Sequence, residues 1–130
     1  MRLSLFIVFL VAGIYLFADD TMEGWAAKPK LLYGTASFYS NTFNGKKTAS
    51  GEIYSHKKMT AACNVLPLGT WIKVTNLRNG KSVVVKTNDR LHKRMKRVVD
   101  LSREAADKLD YVKSGLTRVR IEVIRKKKSE

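Results

Sequence analysis

Three carboxyl groups stand where chemistry could use them. Asp89 ends the apolar run "VVVKTNDR", Asp100 sits in "RVVDLS" just before a helix start, and Glu52 closes the Gly/Ser/Thr-rich stretch "KKTASGE". A carboxyl at a strand end can face a cleft and pass a proton to or from a substrate oxygen. Each also has a plainer use. Asp89 can pair with Arg90, Asp100 can accept backbone N–H bonds near the helix start, and Glu52 can be an exposed loop residue. Cys63, the single cysteine, lies in "TAACNVLPLGT". It is either a small buried hydrophobe or a reactive thiol, and a nucleophilic role would need a base beside it. One cysteine closes no intrachain disulfide. With His56 and His92 as the only histidines, no Cys/His pair has metal-ligand spacing, so no metal and no cofactor is expected.

The elements that must position these groups are mainly β. Tyr33 to Tyr39 alternates as a strand, and Asn41 to Gly51 is rich in turn formers and reads as a long loop. Trp71 to Thr75 alternates, with Ile72 and Val74 on one face. Asn79-Gly80 links it to Ser82–Thr87 as a hairpin. The triplet Val83-Val84-Val85 is continuous, as in a strand buried on both faces. Ser102 can cap a short helix from Arg103 to Leu109, with Glu104 in the first turn where the helix dipole favours an anion. Gly115 suits a turn. Thr117 to Ile124 then alternates, with Val119, Ile121 and Val123 inward. Short strands with one or two short helices over about 95 residues point to a small closed barrel, which leaves no exposed edge.

Charge and address narrow the setting. The chain has 130 residues and a net charge of +14. Met1-Arg2 precedes an apolar run from Leu3 to Ala18, which Asp19-Asp20 ends. That run is short for a spanning helix, which needs roughly 20 residues. Residues 1–18 therefore read as a signal peptide or an N-terminal anchor, and 19–30 as a linker. The domain follows over 31–125, and 126–130 form a basic tail. Export to the periplasm, cell wall or exterior is expected, with a tether to the inner membrane if the leader is retained. Without its leader the chain keeps +13. It would be drawn to anionic envelope surfaces, and export argues against nucleic acid as the partner.

In order, the motifs G-x-A-S-x-Y, T-A-S-G-E, T-A-A-x-x-x-L-P-x-G-T, V-x-N-x-x-N-G-x-S-V-V-V, N-D-R and V-D-L-S-x-x-A-A run from about Tyr33 to Ile124. Together they resemble the rare lipoprotein A family. The resemblance implies a mainly β fold, a small six-stranded double-psi β-barrel. It implies lytic cleavage of peptidoglycan glycan strands, preferably stripped of stem peptides, by a monomer. The alternative from the same fold is a non-catalytic glycan-binding or wall-loosening module. The family's cleft glutamate falls on Glu52, its N-D-R aspartate on Asp89 and its aspartate before L-S on Asp100. All three are the expected catalytic set, with Asp89 the acid/base and Glu52 and Asp100 binding sugar, tuning its pKa or competing for the role. Tyr39, Thr48, Ser50, Asn88 and Arg90 lie in matching segments and are expected to bind the strand. Three positions depart from the pattern: Cys63 stands where the family has histidine, Ser55 where it often has aspartate, and Leu91-His92 where it has Gly-Pro. The family's lipidated cysteine also has no counterpart, so the chain reads as a short, non-lipidated member.

Overall fold

The computed structural model describes residues 30–125. The expected leader, most of the linker and the basic tail lie outside the described residues. Six strands form a closed barrel: β1 (Leu31–Phe38), β2 (Thr60–Ala62), β3 (Trp71–Asn76), β4 (Ser82–Asp89), β5 (Val99–Leu101) and β6 (Thr117–Arg125). Around the ring the order is β1-β5-β2-β4-β3-β6. The pairs β1–β5 and β2–β4 are parallel, and the other four are antiparallel. This is the double-psi barrel expected from the motifs. Among the described residues no helix is long and apolar enough to cross a membrane.

The barrel interior is filled by alternate residues of the long strands, including Ile72 and Val74 of β3, Val85 of β4 and Val119 and Ile121 of β6. Helix α1 (Arg103–Leu109) adds Ala105, Ala106 and Leu109 to the same core. Its start is capped as the sequence suggests: the Ser102 hydroxyl accepts the Ala105 N–H. Its end is a non-glycine residue in the left-handed region, Asp110, with φ of 59°.

One expectation is corrected. The valine triplet of β4 is not buried on both faces: Val83 and Val85 point inward, but Val84 is 47% exposed. A barrel wall has an outer face, so three adjacent valines show β propensity rather than double burial.

Two three-residue strands, β2 and β5, were not legible as strands, since three residues carry no period. Yet they hold the site. Gly34 in β1 is also explained here. A Cβ at Gly34 would meet Val98 Cβ and Cγ1 at 2.8 Å each, so the residue before β5 packs directly on bare backbone. Leu101 of β5 is fully buried. We expect Leu101→Ala to lower unfolding free energy by about 3 kcal/mol, read from urea denaturation, because it opens a cavity where β5 meets the core.

Candidate active site

Backbone pairing brings two of the three carboxylates to one place. Ala62 of β2 pairs with Asp100 of β5 on one side and Asp89 of β4 on the other. The two aspartates are thus one strand apart, roughly 10 Å between Cα atoms at ordinary strand spacing. Ser37 of β1 extends the row by pairing with Asp100, and its hydroxyl donates to Asp100 Oδ1 at 2.9 Å. Beside this row Tyr39, Tyr54, Ala62 and Leu91 make a second small cluster, separate from the barrel core.

Asp89 accepts hydrogen bonds from three segments. The Tyr39 hydroxyl donates to Oδ2 at 2.6 Å. The backbone N–H groups of Ala49 and Arg90 donate to Oδ1 at 2.9 and 2.8 Å. Ala49 belongs to the T-A-S-G-E segment, which is a tight turn rather than a slack loop. Lys47 bridges Ile53, Thr48 N–H donates to Glu52 O at 2.8 Å, and Gly51 takes φ of 92°, a conformation that favours glycine. Ser50 N–H donates to Asn88 O at 3.1 Å. The turn therefore docks on the end of β4 and sets Glu52 beside Lys86 of that strand.

Glu52 is held by a relay. Thr48 and Ser50 hydroxyls are 3.0 Å apart, Ser50 donates to Glu52 Oε1 at 3.1 Å, and Lys86 Nζ lies 3.2 Å from Oε2. Partial burial pushes its carboxyl up, but the bonds from Lys86 and Ser50 outweigh that and hold it below the usual glutamate range. Asp100 is the opposite case. Burial pushes it up, the charge of Asp89 adds to that, and the Ser37 hydroxyl and Arg97 only partly offset it. Burial, then the bond to Asp89, pushes the Tyr39 hydroxyl far above ordinary tyrosine, so it keeps its proton and acts as a donor.

Other expected site residues take supporting places. Asn88 is 1% exposed beneath the turn; its amide makes no hydrogen bond of good geometry among the described residues, but it lies close enough to Glu52 to favour the charged carboxyl. Thr48 is buried and closes its own turn on Glu52 O. Arg90 is exposed, but its guanidinium donates to the carbonyls of Cys63 and Leu66, tying the loop after β2 to the end of β4. Cys63 is fully buried in the barrel core cluster, and its backbone N–H donates to Asp89 O at 3.0 Å. Burial pushes its thiol up. Ser55 accepts the N–H of Lys57 within its own loop. Neither histidine bonds to Glu52, Asp89 or Asp100 among the described residues. His56 Nδ1 lies 2.8 Å from the Tyr54 hydroxyl, and His92 Nδ1 accepts the N–H of Arg94 in its own loop.

Sequence reasoning missed Ser37, Lys86 and Phe43. Tyr39 and Tyr54 stack with centroids 4.0 Å apart, and Phe43 meets Tyr39 edge-on at 5.7 Å while staying 47% exposed. An exposed aromatic at a cleft can lie against the apolar face of a sugar ring. An aromatic within the turn-rich "NTFNG" was the available signal. Among the described residues no group of three or more His, Cys, Asp or Glu is placed to hold a metal ion.

Two outcomes follow from these environments. An aspartate whose native pKa is raised favours the fold below its ordinary value, and that contribution is lost as pH rises through the native value. Asp100→Asn should therefore be more stable than the parent chain at neutral pH, and the gain should vanish below about pH 4; thermal unfolding across pH checks both. Cys63 should resist a thiol reagent in the native state and react fully in denaturant, since its thiol is buried and held protonated. Rapid native labelling would show an open, cleft-facing thiol.

With the geometry described, comparison with known proteins is informative. A family model described as "Lytic transglycolase" matches residues 32–121, from β1 into β6. Endolytic peptidoglycan transglycosylase RlpA of Pseudomonas aeruginosa (strain UCBPP-PA14) is 49% identical over 98 residues, covering 75% of this chain and 29% of that protein. The RlpA of Pasteurella multocida (strain Pm70) is 50% identical over 91 residues, covering 70% of this chain and 31% of that protein. A probable endolytic peptidoglycan transglycosylase RlpA of Synechocystis sp. is 41% identical over 118 residues, covering 91% and 37%. The chain thus spans about a third of the length of these relatives. Among solved structures, a Streptomyces papain inhibitor shares the fold with a TM-score of 0.62 at 18% identity, covering 76% of this chain and 98% of that one. An expansin of Clavibacter michiganensis does so at 0.58 and 21%, covering 77% and 53%. The family match encloses both aspartates, Glu52 and the turn that docks it, and so this chain belongs to the lytic transglycolase family.

Proposed function

We propose that this chain is an endolytic peptidoglycan transglycosylase that cleaves glycan strands, preferably without stem peptides, to leave 1,6-anhydro-muramyl ends. The observation that carries the reading is Asp89, oriented by three donors at one end of the barrel with a second aspartate one strand away. The kinship of the chain to named peptidoglycan transglycosylases supports it.

The chemistry needs one carboxyl group that works twice. Asp89 gives a proton to the glycosidic oxygen as the bond breaks. The C6 hydroxyl of the same muramyl residue then attacks C1 and returns a proton to Asp89. The attack is intramolecular, so proximity replaces an activated water. Tyr39 keeps its own proton and fixes the plane of the Asp89 carboxyl. Glu52, held ionised by Lys86, supplies negative charge as positive charge grows on the sugar ring. Asp100, which holds a proton more readily than an ordinary aspartate, is the second group able to carry one. Such an enzyme works in the envelope, as the apolar run Leu3–Ala18 suggests.

A second reading, a glycan-binding module without catalysis, is favoured by Cys63. The family's imidazole is replaced there by a buried thiol, and no histidine meets a cleft carboxylate among the described residues. The test is the product. Purified chain incubated with peptide-free strands should release 1,6-anhydro ends by mass spectrometry, and Asp89→Asn should cut the rate at least roughly a hundredfold. Strand binding without such products would favour the module. Full activity in Asp89→Asn would remove Asp89 from the reaction.

A further inference from the structure

The segment between the two cleft aspartates carries a charge pattern that the reaction does not use. Residues 92–97 read His-Lys-Arg-Met-Lys-Arg. Both ends are firmly held. Leu91 is buried against Tyr39 and Tyr54, and the Asn64 side chain clamps it from both sides, accepting its N–H at 2.7 Å and donating to its carbonyl at 3.0 Å. At the other end Val98 N–H donates to Thr35 O at 3.0 Å, and the Val98 side chain packs on Gly34. Between these anchors the chain makes a turn, with Met95 N–H donating to His92 O at 2.9 Å. His92, Lys93, Arg94, Met95 and Lys96 are all exposed.

None of Lys93, Arg94 and Lys96 makes an ion pair with an acidic side chain among the described residues. Arg97 faces Asp100 and favours its charged form. Three free cations on one short, anchored turn repel one another, and that cost is relieved when an anion joins them. The turn leaves the fold at Leu91, two residues after Asp89, and rejoins it at Val98, two residues before Asp100, so it borders whatever occupies the cleft.

We propose that the turn His92–Lys96 is a carboxylate-binding subsite, in which Lys93, Arg94 and Lys96 take carboxylate groups of the saccharide strand flanking the cleft. This rests on the cleft being a glycan groove. A muramyl residue without a peptide carries one free lactyl carboxylate, so a bare strand repeats this anion along its length. The subsite selects for charge on the strand, apart from the bond that is cut.

The test separates the subsite from the reaction by measuring affinity on the Asp89→Asn chain, which does not turn over. The probes are peptide-free glycan strands with free carboxylates, and the same strands with the carboxyls converted to neutral methylamides. Asp89→Asn should bind the carboxylate strands more tightly. Adding Lys93→Gln, Arg94→Gln and Lys96→Gln should weaken that binding roughly tenfold, as expected for a few exposed ion pairs, and leave the methylamide strands unaffected. Unchanged thermal unfolding would show that these exposed substitutions leave the fold intact. Equal affinity of Asp89→Asn for both strands, or an equal loss on both in the triple variant, would overturn the subsite. So would a loss seen only on vesicles containing anionic lipid, which would assign the turn to a membrane surface. Carboxylate-selective binding by a chain that releases no anhydro ends would sink the proposed activity and keep the subsite. Release of such ends without that selectivity would do the reverse.

Discussion

The site depends on one carboxylate being shared by three segments. Asp89 accepts from Tyr39 at the end of β1, from Ala49 in the turn that bears Glu52, and from the N–H of Arg90 beside it. Those segments are 50 and 40 residues away along the chain. The bond from Ala49 N–H to Asp89 and that from Ser50 N–H to Asn88 O hold the polar T-A-S-G-E turn onto the end of β4. Without Asp89 the turn would keep its internal bonds and the Ser50–Asn88 backbone contact, but it would lose the contact that aims it at the cleft.

The longer elements were legible in the sequence for physical reasons that also explain what was not. The alternation at Trp71–Val74 of β3 and along β6 let their inward faces be read from period, whereas the three adjacent valines of β4 masked its period and hid the outward face at Val84. Ser102 and Glu104 marked the helix start, and Asn79-Gly80 marked the hairpin. β2 and β5 have three residues each and are defined by their neighbours, not by any pattern of their own. The catalytic candidates Asp89, Glu52 and Asp100 came from motif resemblance, since a carboxylate at a strand end has no local mark of use. Their supports were hidden because they depend on register. Nothing in the sequence says that Ser37 lies opposite Asp100, or that Lys86 reaches Glu52. Arg90 looked like a residue for the substrate, yet its guanidinium serves two carbonyls of the neighbouring loop.

The site also carries polar groups that a fold selected only for stability would shed. Asp100 is pushed up by burial, and the buried Asn88 amide under the Glu52 turn makes no hydrogen bond of good geometry among the described residues. Buried polar groups without full compensation cost free energy. The barrel can carry them because its core is filled separately, by the inward faces of the long strands and by α1. The small cluster of Tyr39, Tyr54, Ala62 and Leu91 stands apart from that core, and its stacked Tyr39 reaches Asp89 with its hydroxyl.

Ala62 has a consequence of its own. It pairs with Asp89 on one side and Asp100 on the other, so the gap between the two carboxylates is spanned by main-chain hydrogen bonds and a methyl group. Side chains around that gap can be exchanged without moving it. Cys63, the next residue, turns its side chain into the barrel core, while its N–H donates to Asp89 O at 3.0 Å, so there too the spacing is left to the backbone. A scaffold built in this way separates the ruler from the reagents, so a lineage can retune or silence its chemistry by single substitutions and keep a groove of the same gauge.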